Sequence, residues 1–118
     1  MEQTPVEERE EFVKDVLTTA IECDGCGYWG RWGNVTRDAK GNVTSFTVVR
    51  ESTKNRLDVT PATVEAGIHA LKQKGFAVRD DIRRNVLFAD VMNDATDIDV
   101  EVADVIVQAG LFGEIVYG

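Results

Sequence analysis

Between Gly25 and Glu51 the chain reads GCGYWGRWGNVTRDAKGNVTSFTVVRE, and this stretch limits the possible folds more than any other. It holds both tryptophans, one of the two tyrosines and, before residue 34, four of the ten glycines. Trp29 to Arg37 is extended in character, Asp38-Ala39-Lys40-Gly41-Asn42 supplies turn chemistry, and Val43 to Glu51 returns as a second strand. Gly41 offers the positive φ of a short hairpin loop, and Asp38 can bond its own backbone two residues on. Such a hairpin must be covered on one face, and the remaining segments read as the elements that cover it.

Thr4-Pro5-Val6-Glu7 is a helix start: threonine caps, proline suits the first helical position, and the glutamate can close a capping box. Phe12, Val13, Val16, Leu17, Ala20 and Ile21 follow at helical spacing, and Cys23-Asp24-Gly25 ends the helix. Arg56 to Thr60 alternates as a short third strand after a turn at Ser52-Thr53-Lys54-Asn55. Thr60-Pro61 opens a second helix to about Lys74, with Val64, Ile68 and Leu71 as its buried line. Asp80-Asp81 caps a third, which buries Ile82, Val86 and Ala89 and leaves Arg83 and Arg84 solvated. Asn93 to Thr96 breaks it, and Asp97 or Asp99 starts a fourth on Ile98, Val102, Val105, Ile106 and Ala109. The tail GEIVYG reads equally as a terminal strand or a packed coil. The expectation is an α+β fold: a three-stranded antiparallel meander covered by about four helices, in the order α-β-β-β-α-α-α, forming one domain over residues 1–118.

The net charge of −8 is unevenly spread. Residues 1–26 carry eight acids and two bases, residues 27–84 six acids and eleven bases, and residues 85–118 seven acids and no base. A chain so charged is not expected to bind nucleic acid through its overall field, and a protein partner with a basic surface suits it better. No apolar run approaches the roughly 18 residues of a membrane span. The acidic opening MEQTPVEEREE is unlike a signal or transit peptide, so no membrane association and a cytoplasmic location are expected.

Chemistry-bearing motifs are few. Cys23-Asp24-Gly25-Cys26 has the gap of a zinc half-site or a redox pair, but zinc needs four ligands, and only His69 adds to the two cysteines. Two reduced structural thiols is the plain reading, and a metal shared across a dimer is the sharper one. His69 flanks the apolar line of its helix, and every Ser/His/Asp or Cys/His constellation would have to pass through it. Asp97 to Gln108 fails as a calcium loop, with Val102 where the glycine belongs and Gln108 where the bidentate glutamate belongs. No catalytic residues, no metal and no cofactor are therefore assigned, and the protein is not expected to be an enzyme.

Two patterns remain as binding candidates. Asp90, Asp94, Asp97, Glu101 and Asp104 recur at spacings of four, three, four and three, which on helical segments collects carboxylates along one side. They form either a solvated face or a docking strip for a protein. Trp29 and Trp32 are three apart and face opposite ways on a regular strand. If Trp32 packs inward with Tyr28, Trp29 joins Arg31 and Arg37 as a platform for a nucleotide-like ligand; the alternative is Trp29 buried under a helix or in a dimer interface. The unbalanced tryptophan and the apolar LFGEIVYG tail also lead to the expectation of a homodimer.

Two blocks, VLTTAIECDGCGYWGRW at 16–32 and DIDVEVADVIVQAGLFGEIVYG at 97–118, resemble the ends of a family of short proteins from actinobacteria, their plasmids and their phages. The resemblance implies a phage or mobile-element context and an accessory role, such as interference with a host factor. It carries no activity and no catalytic residues to this chain.

Overall fold

The computed structural model describes residues 3–22 and 29–117. Its elements run α1 (Pro5–Glu22), β1 (Gly30–Arg37), β2 (Val43–Arg50), β3 (Arg56–Val59), α2 (Pro61–Lys72), α3 (Asp80–Met92) and α4 (Val100–Phe112). The strands form one antiparallel sheet in the order β1-β2-β3. This is the α+β meander that the hairpin chemistry and the helical periodicities predict. Cys23 and Cys26 lie outside the described residues, as does Tyr28.

The hairpin turn closes as its residues dictate. Asp38 Oδ1 accepts from the Lys40 and Asn42 amides at 2.9 and 3.0 Å, and Gly41 takes φ 87°. Lys14 of α1 reaches Asp38 Oδ2 at 2.9 Å, and the Thr18 hydroxyl accepts from the Val43 amide at 3.0 Å, which locks α1 against the hairpin. Hydrogen bonds from Lys14 first, and from the turn amides, hold the Asp38 carboxyl below its ordinary range. The strand pairing shifts register after Gly33, where Asn34 adopts φ 48°, so the irregularity falls beyond both tryptophans.

One face of the sheet is covered and the other is open. Val43, Phe46 and Val48 of β2 and Val59 of β3 are buried, whereas Thr36, Arg56 and Asp58 stand exposed. The covered face meets Phe12, Val16, Leu17, Val64, Leu71 and Ile106 in one apolar core fed by every element. Helix α4 lies deepest: every residue from Val102 to Ala109 is buried. It crosses α2 with the backbones nearly touching. A Cβ at Gly67 would collide with the Ile106 carbonyl, and one at Gly110 with the Thr63 carbonyl.

Helix ends mostly match their signals. The Thr4 hydroxyl accepts from the Glu7 amide at 3.2 Å, and Asp99 Oδ1 accepts from the Val102 amide at 2.9 Å. At α2 the hydroxyl that caps belongs to Thr63, which accepts from the Thr60 amide at 3.1 Å. Two expectations need correction. The N-cap of α3 is Arg79, whose guanidinium grips Asp81 at 3.1 Å, so Asp80 and Asp81 form the first turn instead of capping it. Arg83 is not solvated. It is half-buried and donates to the Phe76 carbonyl, while its Nε is buried without a partner among the described residues.

Candidate functional site

Of the two readings of the tryptophans, the structure has the one that buries Trp29 under a helix. Trp29, in the turn before β1, is 2% exposed, and Trp32 is 36% exposed. Trp29 stacks on Tyr117 with ring centroids 5.2 Å apart and 3° between planes, and meets the edge of Phe112 at 5.6 Å. Its indole N–H donates to Asp104 Oδ1 at 2.8 Å. The platform of Trp29, Arg31 and Arg37 is therefore not assembled. Arg31 pairs with Val49 on the open face, and Arg37 lies at the far end of the hairpin, bonded to the Gly41 carbonyl at 2.8 Å. Six strand residues, or roughly 20 Å, separate the two arginines.

Asp104 is 4% exposed and leaves the acidic strip altogether. Its second oxygen accepts from Gln108 Nε2 at 2.9 Å. Gln108, itself fully buried, then holds the tail. Its Oε1 accepts from the Val116 and Tyr117 amides at 3.0 and 2.8 Å, and its Nε2 donates to the Tyr117 carbonyl at 3.0 Å. The tail is thus a packed coil, fixed by one amide side chain. It covers Trp29, while Trp32 and the tail's Val116 stay among the exposed large apolar side chains.

The rest of the strip is divided and partly neutralised. Asn93 ends α3 in the left-handed conformation, so the acids do not share one helix. Asp90 is nearly buried and paired with Lys72 at 2.5 Å and Arg9 at 2.7 Å. Arg9 also bonds Glu65 at 2.5 Å and Asn93 at 2.8 Å, tying α1, α2 and α3 together. Glu101 pairs with Arg79 at 2.9 Å. Asp94 spends an oxygen on the Thr96 amide and hydroxyl at 2.9 and 2.5 Å. Asp97 alone of the five is exposed and outside any ion pair or hydrogen bond among the described residues.

A different surface emerges from α3. Ile82, Val86 and Ala89 face the core, and the other side presents Leu87, Phe88, Val91 and Met92, of which Phe88 is 57% and Val91 78% exposed. This helix is apolar on both sides, which a helix needing one core contact does not require. Met92 reaches a cleft of about 450 Å³ that is lined by Glu8, Glu11, Asp15 and Asp94 together with Phe12. Partial burial, and then the neighbouring charge of Glu11, raise the Asp15 carboxyl above its ordinary value. Acids in this cleft repel one another with no base among its lining residues. Sequence reading passed over this surface because it credited α3 only with its inward line. The signal was there: VLFADVM carries apolar residues at adjacent positions, 86–88 and 91–92, too many for one stripe.

His69 is exposed on the last turn of α2, its ring nitrogen 3.4 Å from Gln73 Nε2. Among the described residues no group of three His, Cys, Asp or Glu could hold a metal ion. No helix among them is long and apolar enough to cross a membrane. No protein-family model, curated protein or solved structure matches the chain.

Proposed function

We propose that this is a non-enzymatic, cytoplasmic accessory protein of phage or mobile-element type that acts by binding a host protein. The observation that carries the reading is the second apolar face of α3, which runs from Leu87 and Phe88 to Met92 and ends at the carboxylates of Glu8, Glu11 and Asp15. An apolar helix face with an acidic rim suits an amphipathic basic segment, whose apolar side covers Phe88 and Val91 while its cations enter the cleft. The acidic docking surface is thereby moved from the strip of Asp90 to Asp104 to the carboxylates of α1. The phage and host context comes from the likeness of the two chain ends to the actinobacterial family.

Affinity capture from actinobacterial lysate tests this with two surface variants, Phe88→Glu with Val91→Glu, and Glu8→Gln with Glu11→Gln and Asp15→Asn. The first should abolish capture of a specific partner. The second should weaken it and flatten its salt dependence. A partner retained equally by wild type and both variants at every salt concentration would refute the reading.

A homodimer through the same stripe is the second reading. Arg84, one turn before Phe88, has no partner among the described residues, and Asp94 lies one turn beyond Val91. An antiparallel two-fold pairing of α3 would bring each Arg84 to the other copy's Asp94. The stripe is four side chains of one helix, well short of the roughly 20–30 residues a side of a standard interface, so such a dimer would be weak. Light scattering at high concentration decides it, with a constant mass of 13.1 kDa against the dimer.

A further inference from the structure

The β2–β3 turn gathers cations in a chain whose net charge is −8. A cleft of about 200 Å³ there is lined by Arg31, Val49, Arg50, Glu51 and Lys54. Register explains part of the gathering. Arg31 opposes Val49 on the open face, with Arg56 beyond it on β3. Arg50, one residue on, turns its side chain to the covered side, so Arg31 and Arg50 border the cleft from opposite faces at the end of the sheet.

Arg50 is the fixed member. Its Nε donates to the Tyr117 hydroxyl at 3.0 Å, and its guanidinium lies 4.5 Å from the Phe112 ring centroid and 5.5 Å from that of Tyr117. Ser52 shares the same hydroxyl at 3.0 Å. Those contacts leave both terminal nitrogens of Arg50 without a hydrogen bond among the described residues. Arg31 and Arg56 have no acidic partner there either. Two carboxylates stand near: Glu51, which meets Lys54 at a loose 3.5 Å, and Asp58, one position along the face from Arg56.

We propose that this cleft is a phosphate-binding site for a small phosphorylated ligand. At the end of the sheet, the held guanidinium of Arg50 donates to phosphate oxygens from the covered side and the free one of Arg31 from the open side, and Lys54 turns from Glu51 to close the rim. Preorganisation favours Arg50: its planar fork is immobilised by two rings and a hydroxyl before the ligand arrives, so little side-chain entropy is lost on binding. A small ligand fits better than a nucleic-acid strand, because the cleft has room for one or two phosphate groups, and the acids around it repel an extended polyanion. The site is independent of the α3 surface and shares no residue with it.

Titration of the ¹⁵N-labelled protein with inorganic pyrophosphate, with ADP and with a short single-stranded oligonucleotide tests the proposal. Pyrophosphate should shift the amides of Val49, Glu51 and Lys54 saturably, and tighter binding of ADP would identify the source as a nucleotide. Arg31→Ala with Lys54→Ala removes exposed side chains, so it should leave thermal unfolding unchanged yet weaken binding roughly tenfold or more. Arg50→Lys keeps the charge, loses the fork and should weaken binding similarly, whereas Arg84→Ala should have no effect. Absence of saturable shifts with both pyrophosphate and ADP, undiminished binding by the Arg31/Lys54 variant, or tighter binding of the oligonucleotide than of either small probe would overturn it.

Discussion

The indole of Trp29 donates its N–H to Asp104 across 2.8 Å in the interior of the protein, joining the start of β1 to the middle of α4. Both Asp104 oxygens accept, one from Trp29 and the other from Gln108 at 2.9 Å. A buried acceptor with two donors aimed at it cannot be exchanged for an amide without setting donor against donor. Asp104→Asn should therefore lower stability by about 1–3 kcal/mol. Trp29→Phe should cost about 2–4 kcal/mol, because it removes a donor and leaves a space under Tyr117. Urea unfolding measures both, and a double variant that costs less than the two singles added would establish the coupling.

Asp90 gives stability a defined dependence on acid. Burial alone would raise its carboxyl, but hydrogen bonds from Lys72 and then Arg9 outweigh that and hold it below the ordinary carboxylate range. A group lowered on folding stabilises fully above its unfolded pKa, about 3.9 for aspartate, and the contribution is lost as pH falls through the folded value. Melting temperature should consequently fall as pH drops below about 4. Asp90→Asn should cost about 1–3 kcal/mol at neutral pH, less than a fully buried pair because Lys72 and Arg9 are partly in water. That penalty should shrink on acidification, and thermal unfolding of both proteins across this range checks it.

What could be read in the sequence follows from whether a feature is local. The stripe from Phe12 to Ile21, the turn at Asp38–Gly41 and the third strand at Arg56–Val59 depend on residues within a few positions of one another, and all lie where their patterns put them. Asp104 went the other way. Its spacing from Glu101 and Asp97 describes a polar face only if α4 has a wet side, and α4 has almost none. An acid and an amide four apart inside VADVIVQA are better read as a buried polar pair that needs a distant donor. That donor is Trp29, and no local rule identifies it. Likewise, the cations that neutralise Asp90 come from Arg9 and Lys72, far away in the chain. The absence of bases after residue 84 said nothing about the neighbours that folding supplies.

Gly67 and Gly110 also went unread, since a glycine inside a helix looks like a weakness until its neighbour is known. On an exposed helix Gly→Ala would stabilise by about 1 kcal/mol. Here the added methyl would strike the Ile106 carbonyl, a backbone atom that cannot move without displacing α4. Gly67→Ala should thus destabilise by about 1–3 kcal/mol or more. Thermal unfolding decides it, and a rise in melting temperature would show that the two helices are not in backbone contact.

The tail supplies the last test. Gln108 meets Val116 and Tyr117 through three backbone hydrogen bonds, and Tyr117 lies flat on Trp29. Trp29 is therefore dry only while the tail is docked, whereas Trp32 is already partly in water. In a Trp32→Phe background, which leaves Trp29 as the sole tryptophan, the native protein should emit at the short wavelengths of a buried indole. Gln108→Leu keeps the volume but removes the groups that bond the tail, and it also leaves Asp104 without one donor. The tail should detach at a lower temperature than the one at which the core unfolds, seen as a red shift in Trp29 emission that precedes loss of helical circular dichroism. Deleting residues 114–118 should produce the red-shifted spectrum from the outset. If the truncated protein keeps the native emission, Trp29 is covered by something other than Tyr117, and the stacking carries no protective role.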